Sequence, residues 1–173
     1  MDDTLKRIFD IEDEKYRFYY LDLLLEKNLI DSNMISSYYL ATNDIDKIVA
    51  FTNYYLKDYK DIAVIEDYVI NNLHPFTAVR FAEMVELSNK NKLENRVVTS
   101  GIPAAIYYYA KCVPGANIER LEEAIIKSWN KTCIEWFRDN IQIADKEKLN
   151  NALIEMRKIE KCINKIPMRK KSK

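Results

Sequence analysis

Apolar and polar positions along this chain follow a long-range order as well as a helical one. Asn33, Asp61, Asn89, Asn117 and Asp145 stand at intervals of 28 residues. Each carries a side-chain oxygen that can accept from the free N–H groups of a helix's first turn. Four residues beyond the last four come Ile65, Leu93, Leu121 and Leu149, eight beyond come Val69, Val97, Ile125 and Leu153, and nine beyond come Ile70, Val98, Ile126 and Ile154. Apolar positions at this spacing form one stripe of an α-helix, so each candidate cap predicts a helix behind it. The unit after Asn33 fits less well, with Ser37 and Ala41 in the stripe positions and Met34, Tyr38 and Leu40 packing in their place.

A second helix precedes each cap. Ala78, Ile106 and Ile134 form one row at 28-residue spacing, Phe81, Tyr109 and Phe137 a second, and Val85, Val113 and Ile141 a third. Within a unit these positions are i, i+3 and i+7. Pro75 and Pro103 fall at the start of that helix, where a missing N–H costs nothing and the fixed φ is already helical. Lys131 takes the place in the next unit, with either Asn130 or Thr132 as cap, the latter in a Thr-x-x-Glu capping box with Glu135. Upstream, residues 44–56 carry Ile48, Phe51, Tyr54 and Tyr55 in a register shifted by about one residue. Residues 12–27, with Tyr16, Tyr19, Tyr20, Leu23 and Leu24, predict a first long helix.

A pair of helices of about ten residues cannot bury its own apolar face in water, whereas stacked pairs can. The predicted fold is therefore all-α: a right-handed superhelical stack of about five 28-residue helix-turn-helix repeats over roughly 18–157, in one domain of residues 1–166. The amino-terminal helix and a long polar helix from 146 to about 164 act as end caps. A compact non-repeating helical bundle is the alternative. Composition agrees, because 2 glycines and 4 prolines in 173 residues leave little material for β-turns or phosphate-binding loops. Acidic and basic residues balance at 27 each, yet residues 157–173 hold eight basic side chains against one acid. Residues 167–173 read as a basic disordered tail, with Arg169, Lys170, Lys171 and Lys173 as candidate contacts to nucleic acid.

With that period in view, the run Ala-Ala-Ile-Tyr-Tyr-Tyr-Ala-Lys-Cys-Val-Pro-Gly-Ala-Asn-Ile-Glu-Arg-Leu-Glu-Glu-Ala-Ile-Ile-Lys at 104–127 resembles the short tandem αα-helical repeats (α-solenoids) of many large-bacteriophage and bacterial proteins. Those repeats place a Tyr-Ala-Lys helix before a turn and a second helix. The resemblance covers 75–157 well and 18–74 weakly. It departs in the turn, where such repeats often carry a Gly-Arg-Trp-Pro-like sequence and this chain has Pro114-Gly115-Ala116-Asn117, Ser88-Asn89 and Ala144-Asp145. It implies an architecture and a viral or bacterial source, and it brings no catalytic residues.

Candidate chemistry is sparse. No apolar run approaches the length of a membrane span, and the acidic amino terminus is unlike a signal peptide, so a cytoplasmic protein is expected. Cys112, Cys133 and Cys162 lie too far apart for a CxxC site and read as buried thiols of a reducing compartment. His74, the single histidine, reads as a cap or turn residue before Pro75. Neither a metal site nor a cofactor is expected. The pairs Glu66/Asp67 and Glu122/Glu123 project from different sides of a helix and do not form an acid–base pair. Two columns remain as partner-binding candidates. Glu66, Glu94 and Glu122 share one repeat position and would line up as an acidic stripe. Arg80, Tyr108 and Trp136 share another, together with Thr52, one residue before the buried row and so beside it. Arg, Tyr and Trp are the residues most enriched in interface hot spots. The expected function is a non-enzymatic protein-binding module, of the kind a phage or mobile element directs at a host protein. The alternative is a nucleic-acid-binding helical repeat protein that uses the basic tail.

Overall fold

The computed structural model describes residues 3–56 and 59–163. Among these residues there are eleven α-helices and no strand. The chain divides into two compact units, Met1–Phe51 and Thr52–Lys173, where the sequence reading runs one domain over 1–166. The basic tail, 167–173, lies outside the described residues.

The first unit holds α1 (Asp3–Phe9), α2 (Glu14–Glu26), α3 (Ser32–Ala41) and the start of α4 (Ile45–Tyr55). Its core is aromatic: Phe9 stacks on Tyr38 and Tyr39 stacks on Phe51, around buried Phe18, Leu21, Ile35 and Ile48. Arg17 is buried with its guanidinium donating to the carbonyls of Ile11 and Glu12, at 2.8 and 3.2 Å, which pins the segment leading into α2. Two expectations fail here. The cap of α3 is Asp31, whose carboxylate accepts from the Met34 N–H at 2.8 Å, so Asn33 is a helical residue and not a cap. Ile30 and Ile35, both buried, stand on either side of Asp31 at the N′ and N4 positions of a hydrophobic staple, and this sets the helix start two residues early. On α2 it is Phe18 and Leu21 that are buried, while Tyr16, Tyr19 and Tyr20 are exposed. Met34 is likewise exposed, and Ile35 and Tyr39 fill the core.

The second unit holds α5 (Tyr59–Asn72), α6 (Pro75–Met84), α7 (Lys90–Ser100), α8 (Pro103–Cys112), α9 (Ile118–Lys127), α10 (Lys131–Asn140) and α11 (Lys146–Ile163). Helices α6, α8 and α10 begin 28 residues apart, and so do α7, α9 and α11. The predicted rows are buried throughout, from Ala78, Ile106 and Ile134 to Leu93, Leu121 and Leu149. The turns recur as well: the N–H groups of Ser88, Ala116 and Ala144 donate to the carbonyls three residues back, at 3.1, 3.3 and 3.2 Å. Gly101 and Trp129, again 28 apart, both take the left-handed conformation that ends a helix, with φ of 66° and 52°. Asn130 is the cap of α10, its side chain accepting from the Cys133 N–H at 3.0 Å. Asp61 departs from the pattern. It is the third residue of α5 and exposed, because Ile62, Ile65 and Val69 share the buried face and the helix must already be formed at Ile62. The row nine residues past the caps is narrower than predicted, with Val98 and Ile126 half-buried and Ile154 exposed. Consecutive members of the row α6, α8, α10 pack more closely on each other than do those of the row α5, α7, α9, α11. No helix of the described residues is long and apolar enough to cross a membrane.

Candidate functional site

The two candidate columns have opposite fates, and the glutamates decide the first. Glu66, Glu94 and Glu122 are 0%, 2% and 4% exposed, so they do not form an acidic surface stripe and are withdrawn as partner contacts. Each carboxylate instead accepts from the backbone N–H of the cap residue 23 positions later: Glu66 from Asn89, Glu94 from Asn117 at 2.9 Å, and Glu122 from Asp145 at 2.5 Å. The side chains of those caps in turn accept from the N–H groups of Lys92, Arg120 and Lys148, each at 3.0–3.1 Å. This is a capping box completed from two helices earlier, α5 serving α7, α7 serving α9 and α9 serving α11: the cap serves its own helix's N3 position, and the box's glutamate comes from the helix one 28-residue unit before. A carboxylate at a helix amino terminus is also favoured by the helix dipole. The cation at N3 answers the buried charge, with Arg120 3.4 Å from Glu94 and Lys148 3.8 Å from Glu122. In the first member Lys92 lies 2.6 Å from Asp67, and one oxygen of Glu66 is buried without a hydrogen-bond partner. Burial pushes the Glu66 carboxyl above the usual carboxylate range, against the pull of the Asn89 N–H and the nearby lysines. Lys90 is pushed below the usual lysine range by the same cause, while its ammonium donates to the carbonyls of Ala82 and Val85 at the end of α6.

The second column stays at the surface. Arg80 is exposed and ion-pairs with Glu83 at 3.4 Å, and Tyr108 and Trp136 are 41% and 45% exposed. The helices bring further rings to them that the 28-residue rule hides. Phe76 meets Tyr108 edge-on at 5.9 Å, Tyr108 meets Tyr107 at 5.2 Å, and Tyr107 meets Trp136 at 5.8 Å. A connected aromatic run therefore crosses α6, α8 and α10, continued at one end by His74, which stacks on Phe76 at 5.7 Å. Lys111 lies over the Tyr107 ring at 5.7 Å, within cation–π range. Between α6 and α8 a mainly apolar groove of about 220 Å³ opens, lined by Phe76, Val79, Arg80, Glu83, Tyr108 and Cys112. The buried row directly beneath supports this face: the Tyr109 hydroxyl donates to the Lys90 carbonyl at 2.6 Å, and burial keeps it protonated by raising its pKa. The opposite face differs in chemistry. The exposed positions of α7 and α9 are Asn91, Asn95, Thr99, Glu119, Glu123 and Lys127.

The remaining candidates are quickly placed. His74 is the cap of α6, its ring nitrogen accepting from the Phe76 N–H at 3.4 Å. The three cysteines are free, but only Cys133 is buried as expected, Cys112 being half-buried and Cys162 exposed near the end of α11; burial raises the pKa of Cys112 and Cys133. No cluster of three metal-ligating side chains occurs among the described residues. Arg169, Lys170, Lys171 and Lys173 lie outside them. Phe76 and Tyr107 are the site residues that sequence periodicity missed. Their columns read Phe76, Ala104, Thr132 and Val79, Tyr107, Glu135, with no shared chemistry. The available signal was helical spacing, since Phe76 lies four residues before Arg80 on the same face. No protein family, curated protein or solved structure matches the chain.

Proposed function

We propose that this protein is a non-enzymatic binding module that holds another protein on the face formed by α6, α8 and α10. The observation that carries the reading is the run of touching rings from Phe76 to Trp136, three of them more than a third exposed, in a unit where the exposed positions of α7 and α9 are all polar. Partly exposed aromatic side chains beside an arginine bury much area for little rotamer entropy when a partner covers them. In this reading the 28-residue helix pairs form a short right-handed superhelical stack, and the closer spacing of α6, α8 and α10 makes theirs the inner, concave row. The likeness of residues 104–127 to phage and bacterial αα-repeats extends the proposal to a phage or mobile-element protein acting on a host protein.

The test is photo-crosslinking in the native cell with a benzophenone amino acid placed at Tyr108, Trp136, Asn95 or Glu123. Crosslinks to a defined partner from positions 108 and 136, and none from 95 and 123, are expected. Equal crosslinking from both faces, or crosslinks from α7 and α9 alone, would contradict the assignment.

A further inference from the structure

Two other apolar surfaces lie outside the aromatic face, one near each end of the described chain. On α2, Phe18 and Leu21 are buried on one side, while Tyr16, Tyr19 and Tyr20 are exposed on another, with half-buried Leu23 continuing the same stripe at i+7 from Tyr16. A helix that is apolar on two sides belongs in an interior. On α11, Leu149, Ala152, Met156, Ile159 and Ile163 are spaced alternately by three and four residues, the seam of a helix that packs lengthwise on another. Leu149 and Met156 are buried within their own unit, whereas Ile159 and Ile163 carry the same seam onward and are exposed.

The charges around these surfaces say what covers them. Residues 12–26 hold five acidic side chains, Glu12, Asp13, Glu14, Asp22 and Glu26, against Lys15 and Arg17. Around the exposed isoleucines of α11, over residues 157–163, stand Arg157, Lys158 and Lys161 against the single acid Glu160. Like on like would repel at both ends, and each end complements the other. We infer that a second copy of this chain supplies the missing partner, the tyrosine face of α2 in one copy docking on the Ile159–Ile163 seam of α11 in the next. Such an interface is head-to-tail: every added copy leaves one surface of each kind free, so assembly proceeds past the dimer.

The experiment is sedimentation of the full chain up to about 1 mM, which populates associations in the micromolar range, in low and high salt, with Tyr20→Glu and Ile159→Glu as variants. Both substitutions fall on exposed side chains, and circular dichroism checks that helix content is kept. The average mass of the wild type is expected to climb past twice the 20.5 kDa of one chain and to fall back as salt screens the contact. Each variant alone should stay monomeric, and an equimolar mixture of the two should form a dimer that grows no further, because the intact α2 of one meets the intact α11 of the other. A monomeric wild type at every concentration would overturn the proposal. So would a symmetric α11 pairing, in which Tyr20→Glu still dimerises and mixing restores nothing.

Discussion

Replacing Glu94 by alanine should be among the most damaging single changes at a charged residue of this chain. The side chain is 2% exposed, and its carboxylate takes the Asn117 N–H at 2.9 Å and faces Arg120 at 3.4 Å. A hydrogen bond to a charged group contributes about 1.5–3 kcal/mol, and removing the acceptor leaves the cap's donor unsatisfied. The ion pair adds less than about 1 kcal/mol, because Arg120 is 40% exposed and solvent screens it. Loss of the buried methylenes adds about 1 kcal/mol. Together Glu94→Ala should cost about 3–4 kcal/mol, or about 6–15 °C of melting temperature for a chain of this size. Glu94→Gln keeps one acceptor oxygen and the shape, and should cost about 1 kcal/mol. Both tryptophans, Trp129 and Trp136, lie in the second unit, so urea unfolding followed by tryptophan fluorescence reports that unit alone. A Glu94→Ala protein within about 0.5 kcal/mol of wild type, or glutamine as harmful as alanine, would refute the idea that α7 and α9 are clamped through this carboxylate.

Three further outcomes follow from the same geometry. Trp129→Gly should stabilise the second unit by about 1 kcal/mol, because Trp129 is exposed and holds a φ of 52° that glycine adopts freely, as Gly101 does 28 residues earlier; a lower urea midpoint would count against it. Leu121→Ala should cost about 2–5 kcal/mol, since the side chain is fully buried, and a loss under about 1 kcal/mol would show that the helix phase is wrong. Glu66 differs in sign from the ordinary carboxylate: its folded-state pKa is raised, so the folded chain binds the proton more tightly and the stability gained from it is full below the unfolded pKa and lost as pH rises through the folded one. Glu66→Gln should flatten that stretch of the stability–pH curve, and an unchanged slope would exclude Glu66 as its source.

The periodicity legible in the sequence was that of the second unit from residue 75 onward, where proline at N1, asparagine or aspartate at the caps and aliphatic rows all repeat together. Asn33 and Asp61 shared the spacing without the role, because neighbouring isoleucines, Ile30 and Ile35 in one case and Ile62 in the other, set the helix starts. The glutamate column was visible, yet its burial was not. A charged side chain reads as solvated unless paired, and here the partner is a backbone N–H 23 residues away, which leaves no mark of its own in the sequence. One trace exists in hindsight: the next position of that column is Asn150, exposed and accepting from Arg138 at 3.0 Å. The helix over 12–27 was legible as α2, but apolar residues occupy more than one side of it, so spacing alone could not choose the buried side.

The claim that α6, α8 and α10 present the recognition face is tested most directly by ligand affinity measured beside stability. Peptide ligands selected on the full chain from an unbiased displayed library would be titrated against wild type, Tyr108→Ala and Trp136→Ala, with urea unfolding of each protein in parallel. We predict that each substitution weakens binding by at least about 30-fold, or about 2 kcal/mol, while unfolding free energy falls by no more than about 1 kcal/mol. Ligands that bind both variants with full affinity would place recognition on another surface, and binding lost only in step with unfolding would return these aromatics to the core.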